Sequence, residues 1–159
     1  AEVAAVVAAV RVLVRLAETR TGETWRLPTV EEFHAALGPT AGLDLAAVTW
    51  NQDNSGGQTQ AVATKAANAS GFYDLLGNVA EWLDQPRDMD PSIAPVVGGN
   101  VQTGADAIRN APMITLPIDS RIPYIGFRFV VNNDDAVPVM PPAASAPPSA
   151  SAPATAPVN

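Results

Sequence analysis

The sequence predicts an α+β fold with much irregular structure, and three observations carry that prediction. Thr29 and Glu32 have the Thr-x-x-Glu spacing of a capped helix start. Ile125, Phe127 and Phe129 alternate with Gly126, Arg128 and Val130, the two-residue period of a half-buried strand. Between these signals, residues 38–70 are rich in Gly, Asn, Gln, Ser and Thr, which favour turns over regular ladders.

In the opening segment Val3, Val6, Val7, Val10, Leu13, Val14 and Ala17 recur at three- and four-residue steps, with Glu2, Arg11, Arg15 and Glu18 elsewhere. That pattern predicts an amphipathic helix stopping at Gly22. Its many β-branched residues weaken intrinsic helicity, so packing must hold it. The apolar run Val3 to Val10 is far shorter than the ~20 residues a bilayer needs, and it lacks the basic lead of a signal peptide. The first residue is Ala, and we expect a chain processed or truncated ahead of it.

A second helix is predicted from Val30 to Leu37, with Gly38 as its stop and Phe33, Ala36 and Leu37 as its apolar face. Residues 38–70 read as loops with one short strand at most, anchored by Trp50. Val96-Val97 and Tyr124 to Val131 read as strands. These elements place one folded unit over residues 1–134 and a separate tail over 135–159. The tail holds seven of the fifteen prolines among Ala and Ser, a composition for extended, polyproline-like chain. We expect it to be ordered only by lying on a neighbouring surface.

Nine Lys+Arg against sixteen Asp+Glu give a net charge of −7, and no ionisable side chain follows Asp135. Such a balance excludes a phosphate-backbone binder, which needs a basic stripe to displace counterions. The chain has no cysteine, so a disulfide framework, a thiolate metal site and a Cys nucleophile are excluded. His34 is the single histidine. On a capped helix beside Phe33 it reads as a solvated position rather than as part of a triad.

Three segments together resemble a known family. Gly22-Glu23-Thr24-Trp25-Arg26-Leu27-Pro28-Thr29-Val30-Glu31-Glu32-Phe33 is similar to the "tG-x-x-yRLPTeaEWe" motif of formylglycine-generating enzymes, also called sulfatase-modifying factors. Gly71-Phe72-Tyr73-Asp74-Leu75-Leu76-Gly77-Asn78-Val79-Ala80-Glu81-Trp82 resembles that family's "GLYDMLGNVWEW". Gly98-Gly99, Arg109 and Ile125-Gly126-Phe127-Arg128 are similar to its closing "GGSW…R…IGFR". The resemblance runs from about Ala9 to Val131 and implies a C-type-lectin-like α+β fold, shared with the variable proteins of diversity-generating retroelements. It also implies a strand-rich lead ahead of the first helix, which here either belongs to another chain or has been removed. A domain without that part leaves apolar surface open to a partner.

The resemblance further implies where chemistry would sit. Family catalysts carry two cysteines after the Gly-Gly motif that bind copper and activate oxygen. Those positions fall on Thr103 and Ile108, which supply no thiolate, so we expect no copper and no formylglycine formation. In the family a Ca²⁺ is held by the side chain after the Tyr, two backbone carbonyls and the Glu. Carried over, these are Asp74, the carbonyls of Gly77 and Val79, and Glu81. Oxygen donors on a bent loop suit a hard cation, and two acids converging on one loop repel unless something positive lies between them. Alternatively, Asp74 and Glu81 serve only to cap turns. The family's second calcium site, nearer Trp50, has no match in the shortened Asn51-to-Thr64 loop.

Asp84, Asp88 and Asp90 read as a solvated run. Trp25 and Trp82 read as core and Trp50 is left open. The candidate ligand face is Asn100, Gln102, Thr103, Asp106 and Arg109, with Arg121 and Tyr124, matching the substrate groove of catalysts and the diversified surface of variable proteins. The competing reading makes these solvent-facing loop residues, with Arg109 in a structural ion pair. We therefore expect a non-catalytic, calcium-stabilised binding module outside the cytoplasm, an adhesin or receptor-binding domain on a cell envelope or virion. Its partner would be a surface receptor or glycan. The alternative is a structural subunit docked into a larger assembly of protein chains through its tail and first helix. Neither nucleic acid nor a membrane span has a place in either reading.

Overall fold

The structure is a computed structural model, and it describes residues 19–132 together with Val14 and Leu16. Most of the predicted opening helix and the whole tail lie outside the described residues. Those that are described at the start, Val14, Leu16 and Thr19 to Thr21, are helical, and the run ends before Gly22 at φ 74°.

Strand β1 (Thr24–Arg26) leads into helix α1 (Val30–Leu37). The helix starts where the sequence placed it. Glu32 N–H donates to Thr29 Oγ1 at 3.2 Å, and Thr29 N–H donates to Glu32 Oε2 at 2.9 Å. Glu32 also takes a two-pronged ion pair from Arg26, at 2.6 and 2.5 Å, which fixes β1 to the helix start. Together these bonds hold the Glu32 carboxyl down to about 2, the Arg26 contact being the largest cause. The helix buries Phe33 and Leu37 and leaves His34 exposed.

After α1 come a one-turn helix α2 (Leu45–Val48), β2 (Ala80–Trp82), β3 (Ile93–Val97), α3 (Ala105–Ile108), β4 (Met113–Pro117), β5 (Ile125–Phe127) and β6 (Val130–Asn132). The sheet order is β4-β3-β2-β5, antiparallel except for the parallel pair β2–β5. A separate two-stranded sheet joins β1 to β6, with Trp25 opposite Val131. Side chains alternate across β2 and β3, so the four-stranded sheet has two apolar faces. Leu83 and Val97 join Phe33, Leu37, Leu45, Leu75, Leu76 and Ile108 on the α1 side. Ala80, Trp82, Ala94 and Val96 form a second, smaller cluster.

Two expectations are corrected. The stretch Tyr124 to Val131 is not one strand: it breaks at Arg128–Phe129, and its halves enter different sheets. Arg128 turns to a buried partner on β2, while Phe129 packs edge-on against Trp25 at 5.8 Å, so tertiary contacts override the alternation. Residues 24–26, left without an element by the sequence, form β1 because β6 returns alongside them. Residues 38–70 are mainly irregular, with α2 and an isolated bridge from Trp50 to Gly77 as their regular features.

Candidate functional site

The segment Gly71–Val79 is a bent loop rather than a helix. Its bend is set by four residues with positive φ, Gly71 (φ 85°), Asp74 (φ 53°), Gly77 (φ 78°) and Asn78 (φ 57°). Gly77 is demanded by a crossing: a Cβ there would lie 2.3 Å from the carbonyl oxygen of Trp50. Close backbone approach, rather than curvature about an ion, is what requires glycine here. Asn78 is the hub of the region. Its N–H donates to Trp50 O at 2.7 Å, its carbonyl accepts Val101 N–H at 3.1 Å, and its amide pairs both ways with the Gln60 backbone.

Of the residues carried over as calcium ligands, Asp74 and Glu81 differ in situation. Asp74 Oδ2 accepts Ala63 N–H at 2.7 Å, while its Oδ1 is buried with no hydrogen-bond partner. Glu81, 6 % exposed on β2, receives Arg128 Nε–H at 2.5 Å and Nη2–H at 2.7 Å, and the same Nη2 reaches Tyr73 O at 3.2 Å. Burial pushes the Glu81 carboxyl up, against the pull of Arg128 and with a smaller push from the Asp74 charge. The positive group demanded by two converging acids is thus supplied, at Glu81, by an arginine. The IGFR motif carried that signal, since it brings a cation next to the WEW-like strand through the parallel β2–β5 pairing of Gly126 with Glu81.

No group of three or more His, Cys, Asp or Glu side chains able to hold a metal occurs among the described residues. Tested on its own residues, the loop fits a hard cation at one point, the orphaned Asp74 oxygen, and leaves Glu81 to be shared with Arg128. Calcium would therefore rest on Asp74 and the carbonyls of Gly77 and Val79 more than on Glu81.

The predicted ligand face divides. Asn100 to Thr103 form a tight turn after Gly99: Thr103 Oγ1 accepts Asn100 N–H at 3.0 Å, and Asn100 Oδ1 accepts Gln102 N–H at 2.9 Å. Ile108 is fully buried beneath it. The turn is tied to the 49–60 loop by Gln52 N–H on Thr103 O (3.1 Å) and by Ser55 Oγ–H on Val101 O (3.2 Å). Behind these bonds lies a buried polar knot in which Asn51 Nδ2–H donates to Thr49 Oγ1. The sequence reading missed this support, although the Thr-Trp-Asn-Gln-Asp-Asn-Ser run carries the Asx-turn residues that build it. Gln102 and Asp106 are exposed. Arg109 has no ion pair among the described residues: its Nη1 donates to the carbonyls of Thr40 (3.0 Å) and Leu43 (3.2 Å), pinning that turn over the core. Arg121 instead lines a cavity with Trp82, Ser120, Ile122, Pro123 and Ile125, and Tyr124 O accepts Ala80 N–H at 2.9 Å. None of residues 100–109 lines that cavity.

The tryptophans sort by contact. Trp82 is 2 % exposed. Trp25 is half-buried against Phe129. Trp50 lies under Lys65 Nζ, 4.1 Å from its ring centroid, and donates to Thr64 Oγ1. Asp84, Asp88 and Asp90 are exposed, as the charge pattern predicted.

Residues 4–133 match the family profile described as the sulfatase-modifying factor enzyme 1-like domain. Among solved structures the chain is similar to Treponema denticola variable protein 1, with 27% identity and a TM-score of 0.55, over 67% of this chain and 47% of that one. It is also similar to CarF, with 25% identity and a TM-score of 0.53, over 70% and 48%. A third structure, PvdO from Pseudomonas aeruginosa, shares the fold at 22% identity and a TM-score of 0.64, over 76% and 57%. The chain thus spans about half the length of the structures it matches. No curated protein matches it. These likenesses agree with the α+β, C-type-lectin-like architecture. With motifs, loop geometry and profile in register, the chain belongs to the sulfatase-modifying factor enzyme 1-like family.

Proposed function

We infer that this chain is a non-catalytic binding module of its family, working outside the cytoplasm on a cell envelope or virion surface and stabilised by Ca²⁺ at the Asp74 loop. One observation carries the reading. At the two positions where family catalysts hold their cysteines, Thr103 has its hydroxyl engaged by Asn100 N–H and Ile108 is sealed in the core. Neither residue offers a thiolate to copper or substrate. What remains at the site is a braced turn presenting Asn100, Gln102 and Asp106, fixed from behind by the 49–60 loop. A rigid scaffold carrying adaptable polar side chains is the arrangement of a recognition surface. The likeness to a protein named a variable protein supports that use of the segment. The surface setting rests on the calcium loop, the loop-rich body and the Pro/Ala/Ser tail.

A second reading, a structural subunit of a larger assembly, is favoured by one feature: edge strand β4 exposes Met113 (51 %) and Ile114 (55 %) side by side. Among the described residues no helix is long and apolar enough to cross a membrane, so both readings rely on protein or glycan partners.

The test has two arms. The full chain is applied to an array of glycans and cell-surface proteins beside the N100A/Q102A/D106A variant. Binding is expected for the parent and lost in the variant, whose stability falls by no more than the Asn100 turn bond, about 1 kcal/mol; binding that survives the triple change refutes the face. In the second arm, melting is followed with calcium and with chelator, for the parent and D74A. Calcium binding to the folded state raises stability by RT ln(1 + [L]/Kd), about 2.7 kcal/mol at a hundredfold excess over Kd. Equal melting in both buffers removes the ion from the reading.

A further inference from the structure

On the face of the sheet opposite α1, Ala80, Trp82, Ala94 and Val96 form a buried floor, and Leu27, Leu116, Ile118 and Ile125, themselves partly buried, pack against it. Between Trp82 and the 120–125 turn lies a cavity of about 310 Å³, lined by Trp82, Ser120, Arg121, Ile122, Pro123 and Ile125. Its walls are mainly hydrocarbon, and its polar groups are few and close together.

Three features narrow the ligand. The volume is at the lower limit of small-molecule sites, enough for one ring with a short substituent. Trp25 and Trp50 each donate their indole N–H to a threonine hydroxyl, at 3.3 and 2.9 Å. The indole N–H of Trp82 has no acceptor among the described residues, and Trp82 lines the cavity. Finally, Ser120 and Arg121 add a hydroxyl and a cation in a chain whose net charge is −7. Arg121 has another contact of its own, but a guanidinium carries five N–H donors and can serve two acceptors. A saccharide would require more convergent polar groups than these three. An apolar body ending in one anionic group requires no more.

We propose that this cavity binds a small apolar carboxylate, its ring or branched chain against Ile122, Pro123 and Ile125 and its carboxylate between Trp82 Nε1–H, Ser120 Oγ–H and Arg121. Of the lining residues only Arg121 belongs to the ligand face expected from the sequence, and none to the Asn100, Gln102 and Asp106 face of the proposed function, so either can fail without the other.

Phenylacetate is the probe, with phenylacetamide as its neutral counterpart and the full chain as the protein. The Trp82 indole resonance, assigned by elimination with W25F and W50F, is followed in ¹H–¹⁵N spectra during titration. A ligand of this size is expected to bind with Kd on the order of 1 mM. Phenylacetate is expected to shift that resonance saturably, and phenylacetamide or the R121Q variant to bind about tenfold more weakly. The S120W variant, which fills the cavity mouth with an indole, is expected to abolish the shift. The proposal is overturned if phenylacetate gives no saturable shift, if the amide binds as well as the acid, or if S120W binds like the parent.

Discussion

Replacing Arg128 by methionine isolates the contact that closes the 73–82 loop. The change keeps an unbranched apolar stem and removes the guanidinium that holds both oxygens of Glu81 and the carbonyl of Tyr73. Glu81 is 6 % exposed, so its carboxylate cannot recover full hydration once the partner is gone. Breaking a buried pair from one side costs roughly 3–5 kcal/mol. Here the Arg128 side chain is itself 26% exposed, which moves the expectation to the lower end, about 3 kcal/mol. For a folded unit of this size that corresponds to a fall in Tm of roughly 10 °C. Calorimetry of parent, R128M, E81Q and the double variant gives the coupling energy directly, expected at about 2 kcal/mol. The pH dependence has a definite sign. Burial already raises the Glu81 pKa, and removing Arg128 takes away a lowering influence. The penalty of the bare carboxylate is complete above its folded pKa and disappears as the pH falls toward the ordinary carboxylate range. R128M should therefore approach the parent in acid. Melting of R128M within about 1 °C of the parent at neutral pH, or a deficit that widens in acid, refutes the assignment of Arg128 as the loop's cation.

Two further predictions concern the scaffold. Gly77→Ala forces a Cβ to 2.3 Å from Trp50 O at φ 78° and should cost several kcal/mol, whereas Gly56→Ala, at φ 65° with nothing within 4 Å, should cost about 1 kcal/mol. Equal soluble yield and Tm for the two variants would remove the crossing as the reason for glycine. Glu32→Gln should lower stability at pH 7 by on the order of 1 kcal/mol, discounted for the 38% exposure of that side chain. Because the folded pKa of Glu32 is depressed to about 2, that stabilisation is complete above the unfolded carboxylate pKa and is lost as the pH falls toward 2. The parent–E32Q difference in urea midpoint should accordingly shrink between pH 5 and pH 2, and a constant difference would contradict the ion-pair account.

Local rules made part of this molecule legible. The capping box at Thr29–Glu32 specifies a helix start because both partners lie within one turn, and α1 begins there. The bend at Gly71–Val79 was legible from the motif residues themselves, among which Asp74 and Asn78 take left-handed backbone. The family was readable from three motifs in register, and residues 4–133 match it. What failed to read were relations between distant segments. Alternation over 124–131 could not announce that the chain switches sheets at Arg128. The β1–β6 and β2–β5 pairings join positions 45 to 108 apart, from Ala80–Ile125 to Thr24–Asn132. The Glu81–Arg128 pair, the Arg109 pin on Thr40 and Leu43, and the Gly77–Trp50 crossing belong to the same class.

The sequence by itself determined the family, the helix cap, the looped character of residues 38–70 and the absence of any thiolate from the chain. Each depends on residue identity or short spacing. Tertiary structure alone decided which charge answers Glu81, which half of the predicted ligand face is braced and which adjoins the Trp82 cavity. Those outcomes follow from where long-range strand pairing places side chains, and burial then fixes what each neighbouring charge is worth.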